Sequence, residues 1–275
     1  MTAPTTAPTP FDYFDFAGRH VFVAGGSSGI NLGIADAFAA RGANVVIASR
    51  SQERIDGALA ELRRHGGQAE GHSADVRDPA AIADALSRAH ARFGPIDVLV
   101  SGAAGNFVAP ALGMSPNGFK TVVDIDLNGT FNVLRGAHEF LRKPGASVIN
   151  ITAAQSFNPS PYQAHVCAAK AGVDMLTRTL AMEWGVDGIR INSILPGPIG
   201  DTEGVRRLFA NDESRERMLS RIPLRRFGTL EEVAHMAMVL SSPLATYVTG
   251  AIVPVDGGGV LSGSRDFSAS YVPRS

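Results

Sequence analysis

The sequence predicts an α/β protein, a single doubly wound parallel sheet flanked by helices on both faces. Three observations carry that reading. Short β-rich runs alternate with longer stretches of helical spacing, the alternation continues nearly to the end without a repeat or a second composition, and a glycine-rich turn joins the first run to the first helical stretch. The chain has 275 residues, 45% hydrophobic and 19% charged, with a formal net charge of −1. That composition excludes a wholly disordered, collagen-like or disulfide-stapled chain.

Residues 1–10, MTAPTTAPTP, hold four Thr and three Pro and read as a disordered lead-in. One domain is expected over 11–259, followed by a Ser-rich tail, 260–275, that is either loose or a flap over a site. Strands are expected at Val21 to Ala24, Val45 to Ala48, Ile96 to Val100, Ser147 to Ile151, Ile189 to Leu195 and Ala251 to Val255, with a third strand before Asp75. Helical spacing appears in four sets. These are Ile30, Ile34 and Phe38; Ile82, Leu86, Ala89 and Phe93; Val173, Leu176, Leu180 and Trp184; and Val233, Met236 and Leu240. Alternation of this kind implies right-handed crossovers and a ligand crevice beyond the carboxyl ends of the strands.

With 25 basic against 26 acidic residues, no bulk field recruits nucleic acid or an acidic membrane. No apolar run approaches the roughly 18 residues a membrane span needs, so a soluble protein is expected. The single cysteine, Cys167, reads as a small core residue and points to a reducing compartment, hence an expected cytoplasmic location. The seven histidines are scattered and suggest no metal site.

After the first strand comes AGGSSGINLG. A turn of this kind, between a strand and a helix, lets backbone N–H groups approach a pyrophosphate at the positive end of the helix. Gly25, Ser27, Ser28, Gly29 and Ile30 are the candidate cradle, and the fold becomes Rossmann-type. At the end of the second strand, Ser49 and Arg50 stand where an NAD-selective site places an acid. A hydroxyl and a guanidinium suit a 2′-phosphate, so NADPH is the expected cofactor. Arg50 reads alternatively as a solvated helix-start residue. Asp75 and Val76 are placed beside the adenine, although Asp75 could equally cap the next helix.

The stretches AGGSSGI, ADV, IDVLVSGAAG, VINIT, Lys170 in its helix, IRINSILPGPI and YVTGAIVPVDGG together resemble the short-chain dehydrogenase/reductase family over roughly residues 16–259. Within it the chain is similar to the 2,4-dienoyl-CoA reductases, especially the peroxisomal kind, through AAGNF, FKTVVDID, GTFNV, the stretch from His165 to Lys170, and PGPI followed by TEGVRRL. The resemblance adds Gly102, Ala103, Ile151, Lys170, Pro196, Gly197 and Ile199 to the cofactor contacts. It also implies a homo-oligomer, expected to be a tetramer. One departure concerns the glycine turn. Asn31 occupies the family's third glycine position and Gly33 follows two residues later, giving INLGIA, which resembles enoyl-carrier-protein reductases. Asn31 is therefore left out of the phosphate cradle.

Ordinary members of the family reduce ketones with a Ser, a Tyr and a Lys. The Tyr lies four residues before the Lys and donates the proton. Here Val166 stands four before Lys170, and Ala153 fills the Ser position. An alkoxide formed between them has no donor to neutralise it. The remaining readings are a protein that only binds NADPH, a carbonyl reductase using Tyr162 or His165, or a reductase whose product anion needs less help. A C=C bond conjugated to a thioester meets the last description, because its charge is delocalised onto the thioester oxygen. The resemblance implies a water-mediated proton relay at Asp126, making Asp126 and Lys170 the catalytic candidates. Asp124, two residues away on a helix, does not share its face.

Asn106 and Phe107, beyond the fourth strand, are expected at the mouth of the site. Tyr162 is expected as a packing or rim residue, and His165 as a structural one. Segment 202–208 is expected to form a lid whose Arg206 and Arg207 meet CoA phosphates or simply face water. From the residues alone, the substrate is apolar with a polar handle. An acyl-CoA thioester is what the resemblance implies.

Overall fold

The computed structural model describes residues 12–200, 202, 205 and 211–261. Among them the strands are β1 (His20–Ala24), β2 (Asn44–Ser49), β3 (Ala69–Ser73), β4 (Val98–Ser101), β5 (Ser147–Ile151), β6 (Arg190–Pro196) and β7 (Ile252–Val255). All neighbours are parallel, in the order β3-β2-β1-β4-β5-β6-β7. The helices are α1 (Gly29–Ala39), α2 (Gln52–Leu62), α3 (Pro79–Phe93), α4 (Pro116–Val123), α5 (Gly129–Ala137), α6 (Ala164–Trp184), α7 (Asp212–Ser220) and α8 (Leu230–Ser241). The expected doubly wound sheet is therefore present.

Strand periodicity builds the two cores. Val21 and Val23 enter one cluster with Ile34 and Phe38 of α1, Ile55 of α2 and Val233 of α8. Phe22 and Ala24, pointing the other way, enter a second cluster with Ile82 and Leu86 of α3, Val133 of α5 and Leu180 of α6. Each such side chain contributes roughly 1.5–3 kcal/mol by leaving water. The third strand, AEGHS, has no apolar run because it is an edge strand hydrogen-bonded only to β2. Among the described residues no helix is long and apolar enough to cross a membrane.

The strand order reverses between β1 and β4, which run side by side but continue in opposite directions across the sheet. A crevice opens beyond their carboxyl ends.

Candidate active site

Gly25 (φ +82°) follows β1 and Gly29 (φ +57°) starts α1, both in the left-handed region that favours glycine. A Cβ on Gly25 would lie 2.8 Å from the Ala103 backbone nitrogen, so the β1 turn and the β4 end touch through bare backbone. Ser28 precedes α1 without capping it through its side chain, which leaves first-turn N–H groups for an external anion. The cleft beside this turn has a volume of about 230 Å³. Its walls include the expected Gly25, Ser27, Ser28, Ser49, Arg50, Asp75, Val76, Gly102 and Ala103.

Arg54 also lines the cleft, a residue the sequence reading missed although it lies one helical turn after Arg50. Among the described residues neither arginine has an acid within ion-pair distance, and Ser27 Oγ donates to Ser49 Oγ at 2.7 Å between them and the glycine turn. Ser51 caps α2, accepting from the Arg54 N–H at 3.3 Å, so Arg50 sits just outside the helix with its side chain exposed. Asp75 is no helix cap: Asp78 caps α3, while hydrogen bonds from the Arg77 guanidinium hold the Asp75 carboxyl below its usual range. Donors, guanidiniums without an ion-pair partner and a helix N-terminus together fit an anionic dinucleotide, although the Asp75 carboxylate acts on Arg50 through space.

Asn31 needs correction. Left out of the cradle by its place in the motif, it in fact lines the same cleft. Its Nδ2 donates to the Gly102 carbonyl at 2.8 Å and to the Gly25 carbonyl at 3.4 Å, joining the two glycine segments. A Cβ on Gly102 would stand 2.2 Å from Asn31 Oδ1. The missing side chain at 102 is thus what makes room for the extra one at 31. Gly33 is explained by helix packing, since a Cβ there would meet the Leu230 side chain of α8 at 3.0 Å.

The remaining expected cofactor contacts, Ile30, Ile151, Lys170, Pro196, Gly197 and Ile199, are not among the residues lining this cleft. Ile30 packs against the first core, and the Ile151 carbonyl accepts from Lys170. Pro196 ends β6, and a Cβ on the following Gly197 would fall 2.7 Å from Asp256 Cα. Ile199 is 2% exposed and pairs with Gly228, so its side chain belongs to the core. Arg206 and Arg207 lie outside the described residues.

Asp126 and Lys170 come together. Between α4 and α5 the chain makes one wide turn over Asp124–Asn128, in which the Gly129 N–H reaches back five residues to the Asp124 carbonyl. Insertions of this kind re-aim side chains and recur at functional sites. Asp124 stays at the surface, bonded to Lys120 and Asn128, whereas Asp126 is 1% exposed. Its Oδ1 accepts the Gly105 N–H at 2.7 Å and its Oδ2 lies 3.2 Å from Lys170 Nζ. Lys170, 5% exposed on α6, also donates to the Ile151 carbonyl at 3.1 Å. An ammonium has three N–H bonds; the Ile151 carbonyl takes one, and Asp126 Oδ2 lies within ion-pair distance without hydrogen-bond alignment, so donor capacity remains for a ligand.

Val166 is buried against the same helix face as Lys170, and Ala153 precedes it on the β5 exit. Neither has a proton to give. Tyr162 is 58% exposed at the rim, with φ +66°. His165 is fully buried, its ring 4.3 Å from that of Phe107. Burial lowers the His165 pKa, outweighing the Asp126 carboxylate and the Phe107 backbone, which both raise it. The Phe107 backbone biases the imidazole from just outside good hydrogen-bond geometry. No cluster of metal ligands exists among the described residues.

A family model described as "Enoyl-(Acyl carrier protein) reductase" matches residues 24–259. The chain belongs to the short-chain dehydrogenase/reductase family. It is an oxidoreductase of that family and takes a nicotinamide cofactor. A peroxisomal 2,4-dienoyl-CoA reductase of Pongo abelii, named as (3E)-enoyl-CoA-producing, is 47% identical over 247 residues, covering 89% of this chain and 85% of that protein. A probable 2,4-dienoyl-CoA reductase of Bacillus subtilis, named as (2E)-enoyl-CoA-producing, is 39% identical over 243 residues, covering 87% and 96%. Among solved structures, an actinorhodin polyketide ketoreductase with NADPH superposes with a TM-score of 0.83 at 29% identity, covering 88% of this chain and 97% of that one.

Proposed function

We propose that the protein is an NADPH-dependent reductase of a C=C bond conjugated to a thioester, converting a 2,4-dienoyl-CoA to the trans-3-enoyl-CoA. The observation that carries this reading is the pairing of Asp126 with Lys170 in a site whose Ser and Tyr positions hold Ala153 and Val166. Arg50 and Arg54, neither of them in an ion pair, support a 2′-phosphate and hence NADPH. When bound, NADPH supplies a hydride to the distal carbon of the diene.

The chain's own residues then have three tasks. Lys170 would hold the ribose with an N–H not used by Ile151, and it places positive charge where the dienolate forms. Asn106, on the loop after β4, offers its amide to the thioester oxygen. Asp126, fixed by Gly105 and Lys170, orients the water that delivers a proton to the α-carbon, so one hydride and one proton are added overall. A carbonyl reductase relying on Tyr162 or His165 is disfavoured. Tyr162 stands exposed at the rim, outside α6 and before its N-cap, and burial lowers the His165 pKa so that its imidazole is neutral at neutral pH.

Purified protein given NADPH and a 2,4-dienoyl-CoA consumes the two in equal amounts, and NMR of the product places its double bond at carbon 3. Turnover no greater than that of an Asp126→Ala, Lys170→Ala double variant rejects the proposal. We further infer a homotetramer. Phe131 of α5 and Met175 and Met182 of α6 are 43%, 59% and 83% exposed, which supports burial between subunits, and light scattering counts the copies. The single cysteine supports a reducing compartment, taken here as the cytoplasm. The Pongo abelii relative is named peroxisomal, so cell fractionation is the test.

A further inference from the structure

The loop that follows β4 carries Asn106 on irregular backbone, exposed, and one residue from the Gly105 N–H that holds Asp126. A side chain in such a place has free rotation unless something outside the loop fixes it. The start of α6 supplies the fixing groups. Gln163 occupies the N-cap of α6 yet makes no side-chain cap bond, and it is 6% exposed. N-cap positions favour Ser, Thr, Asp or Asn, whose short side chains reach the helix N–H groups. Here the amide is spent elsewhere. Gln163 Nε2 donates to Asn106 Oδ1 at 3.1 Å, and Gln155 Nε2 donates to Gln163 Oε1 at 2.8 Å.

Two more contacts pin the same loop to the same helix start. The Ala109 N–H donates to the Tyr162 carbonyl at 3.0 Å, and the Phe107 ring lies against His165. Tyr162 adopts φ +66°, a strained conformation for a residue with a β-carbon, immediately before Gln163. The segment thus holds an unfavourable backbone where it presents Gln163 to the loop.

We propose that Gln163, backed by Gln155, is a positioning residue that sets which end of the Asn106 amide meets the substrate. An amide is polar at both ends. With the Gln163 N–H on Asn106 Oδ1, the group left facing the site is the NH2, a donor. A thioester oxygen that gains charge on hydride addition is stabilised by donors and repelled by lone pairs. The reversed polarity would present Oδ1 to that oxygen and oppose the reaction. This inference rests on the reductase reading above, and it identifies the device that keeps the donor aimed at the oxygen.

The test uses two variants of the full-length protein and three readouts. Gln163→Glu is nearly isosteric, but its carboxylate only accepts, so it draws the Asn106 NH2 toward itself and turns Oδ1 outward. Its kcat on a 2,4-dienoyl-CoA is expected to fall by about 10²-fold, the effect of losing one oxyanion donor. Its Kd for NADPH, read by fluorescence, stays at the wild-type value. As pH is lowered through the titration of the introduced carboxyl, activity recovers, because the protonated acid can again donate to Asn106, and the wild type shows no such limb. Gln163→Met removes the bond without reversing it and loses about tenfold in kcat with no recovery at low pH. Wild-type kcat in Gln163→Glu overturns the proposal, as does a loss in kcat matched by an equal loss in NADPH affinity. An active wild type with unaffected variants removes this inference alone, whereas an inactive wild type removes the reductase reading and this inference with it.

Discussion

Removing the ammonium from the Asp126–Lys170 pair tests the centre of the site most directly. In Lys170→Met, a carboxylate that is 1% exposed keeps only the Gly105 N–H, because the ammonium 3.2 Å away is gone and His165 beside it is neutral. Breaking a buried pair by removing one partner destabilises by about 3–5 kcal/mol. At roughly 2 °C per kcal/mol for a chain of this size, the melting temperature falls by about 6–10 °C. Asp126→Asn keeps an oxygen for Gly105 but turns an NH2 toward the ammonium, with a similar effect. The double variant buries two neutral groups and recovers much of the loss, so the pair couples by up to about 3 kcal/mol. Each variant loses the oriented proton donor, expected to lower kcat by about 10²–10⁴-fold with NADPH and a dienoyl-CoA. Calorimetry on the four proteins gives the cycle, and loss of NADPH absorbance gives the rate. Strictly additive stabilities together with an unchanged kcat refute the assignment.

Three further outcomes follow from other parts of the molecule. Gly102→Ala drives a methyl to within 2.2 Å of Asn31 Oδ1 and is expected to destabilise by about 1–3 kcal/mol in urea unfolding, with Asn31→Ala relieving most of it; independent effects disprove the exchange of space. Arg50→Ala combined with Arg54→Ala should weaken NADPH about 10- to 100-fold by calorimetry, the loss of about 1.5–3 kcal/mol in charge-assisted bonds, and leave NADH nearly unaffected. Equal weakening of both cofactors shows that the pair does not read the 2′-phosphate. Burial raises the Asp174 carboxyl above 3.8, against the opposing influence of Ser156, Thr152, Arg178 and Lys170, so the folded state binds this proton more tightly than the unfolded state. Its contribution is complete below about pH 3.8 and is lost as pH rises through the raised value. Denaturation curves of wild type and Asp174→Asn should therefore converge in acid and separate above it, with the variant more stable; parallel curves contradict the shift.

Legibility in the sequence followed burial pattern. β1, β2, β4, β5 and β6 are covered on both faces and showed as apolar runs within one or two residues of their ends. Edge strand β3 presents Glu70 and His72 among its five residues and offered no such run. Helix α7 has no buried residue and so carries no apolar stripe to read. At the site, the glycine turn and Lys170 were legible because strand-to-helix context and motif spacing constrain them. Asn31 was misplaced because its partner is an absence, the missing side chain of Gly102, 71 residues away in sequence. Gln163 and Gln155 were missed for a related reason. Glutamines have no chemistry that marks them in a sequence, and their role arises only where the β4 loop folds against the start of α6.

The site makes most sense when its losses and gains are weighed together. Val166 and Ala153 remove the two protic groups that a growing alkoxide requires, leaving an apolar wall on that side of Lys170. On the other side the wide turn at Asp124–Asn128 brings a carboxylate inside. A carboxylate in contact with an ammonium accepts hydrogen bonds from water and orients it, whereas a carbonyl substrate needs a donor on its oxygen at the moment of hydride addition. Protonation at carbon tolerates the delay of a relayed proton, because the dienolate shares its charge with the thioester oxygen until water arrives. On the proposed reading, the two substitutions that disable ketone chemistry leave a conjugated thioester reducible, and the buried pair of Asp126 and Lys170 supplies the proton relay.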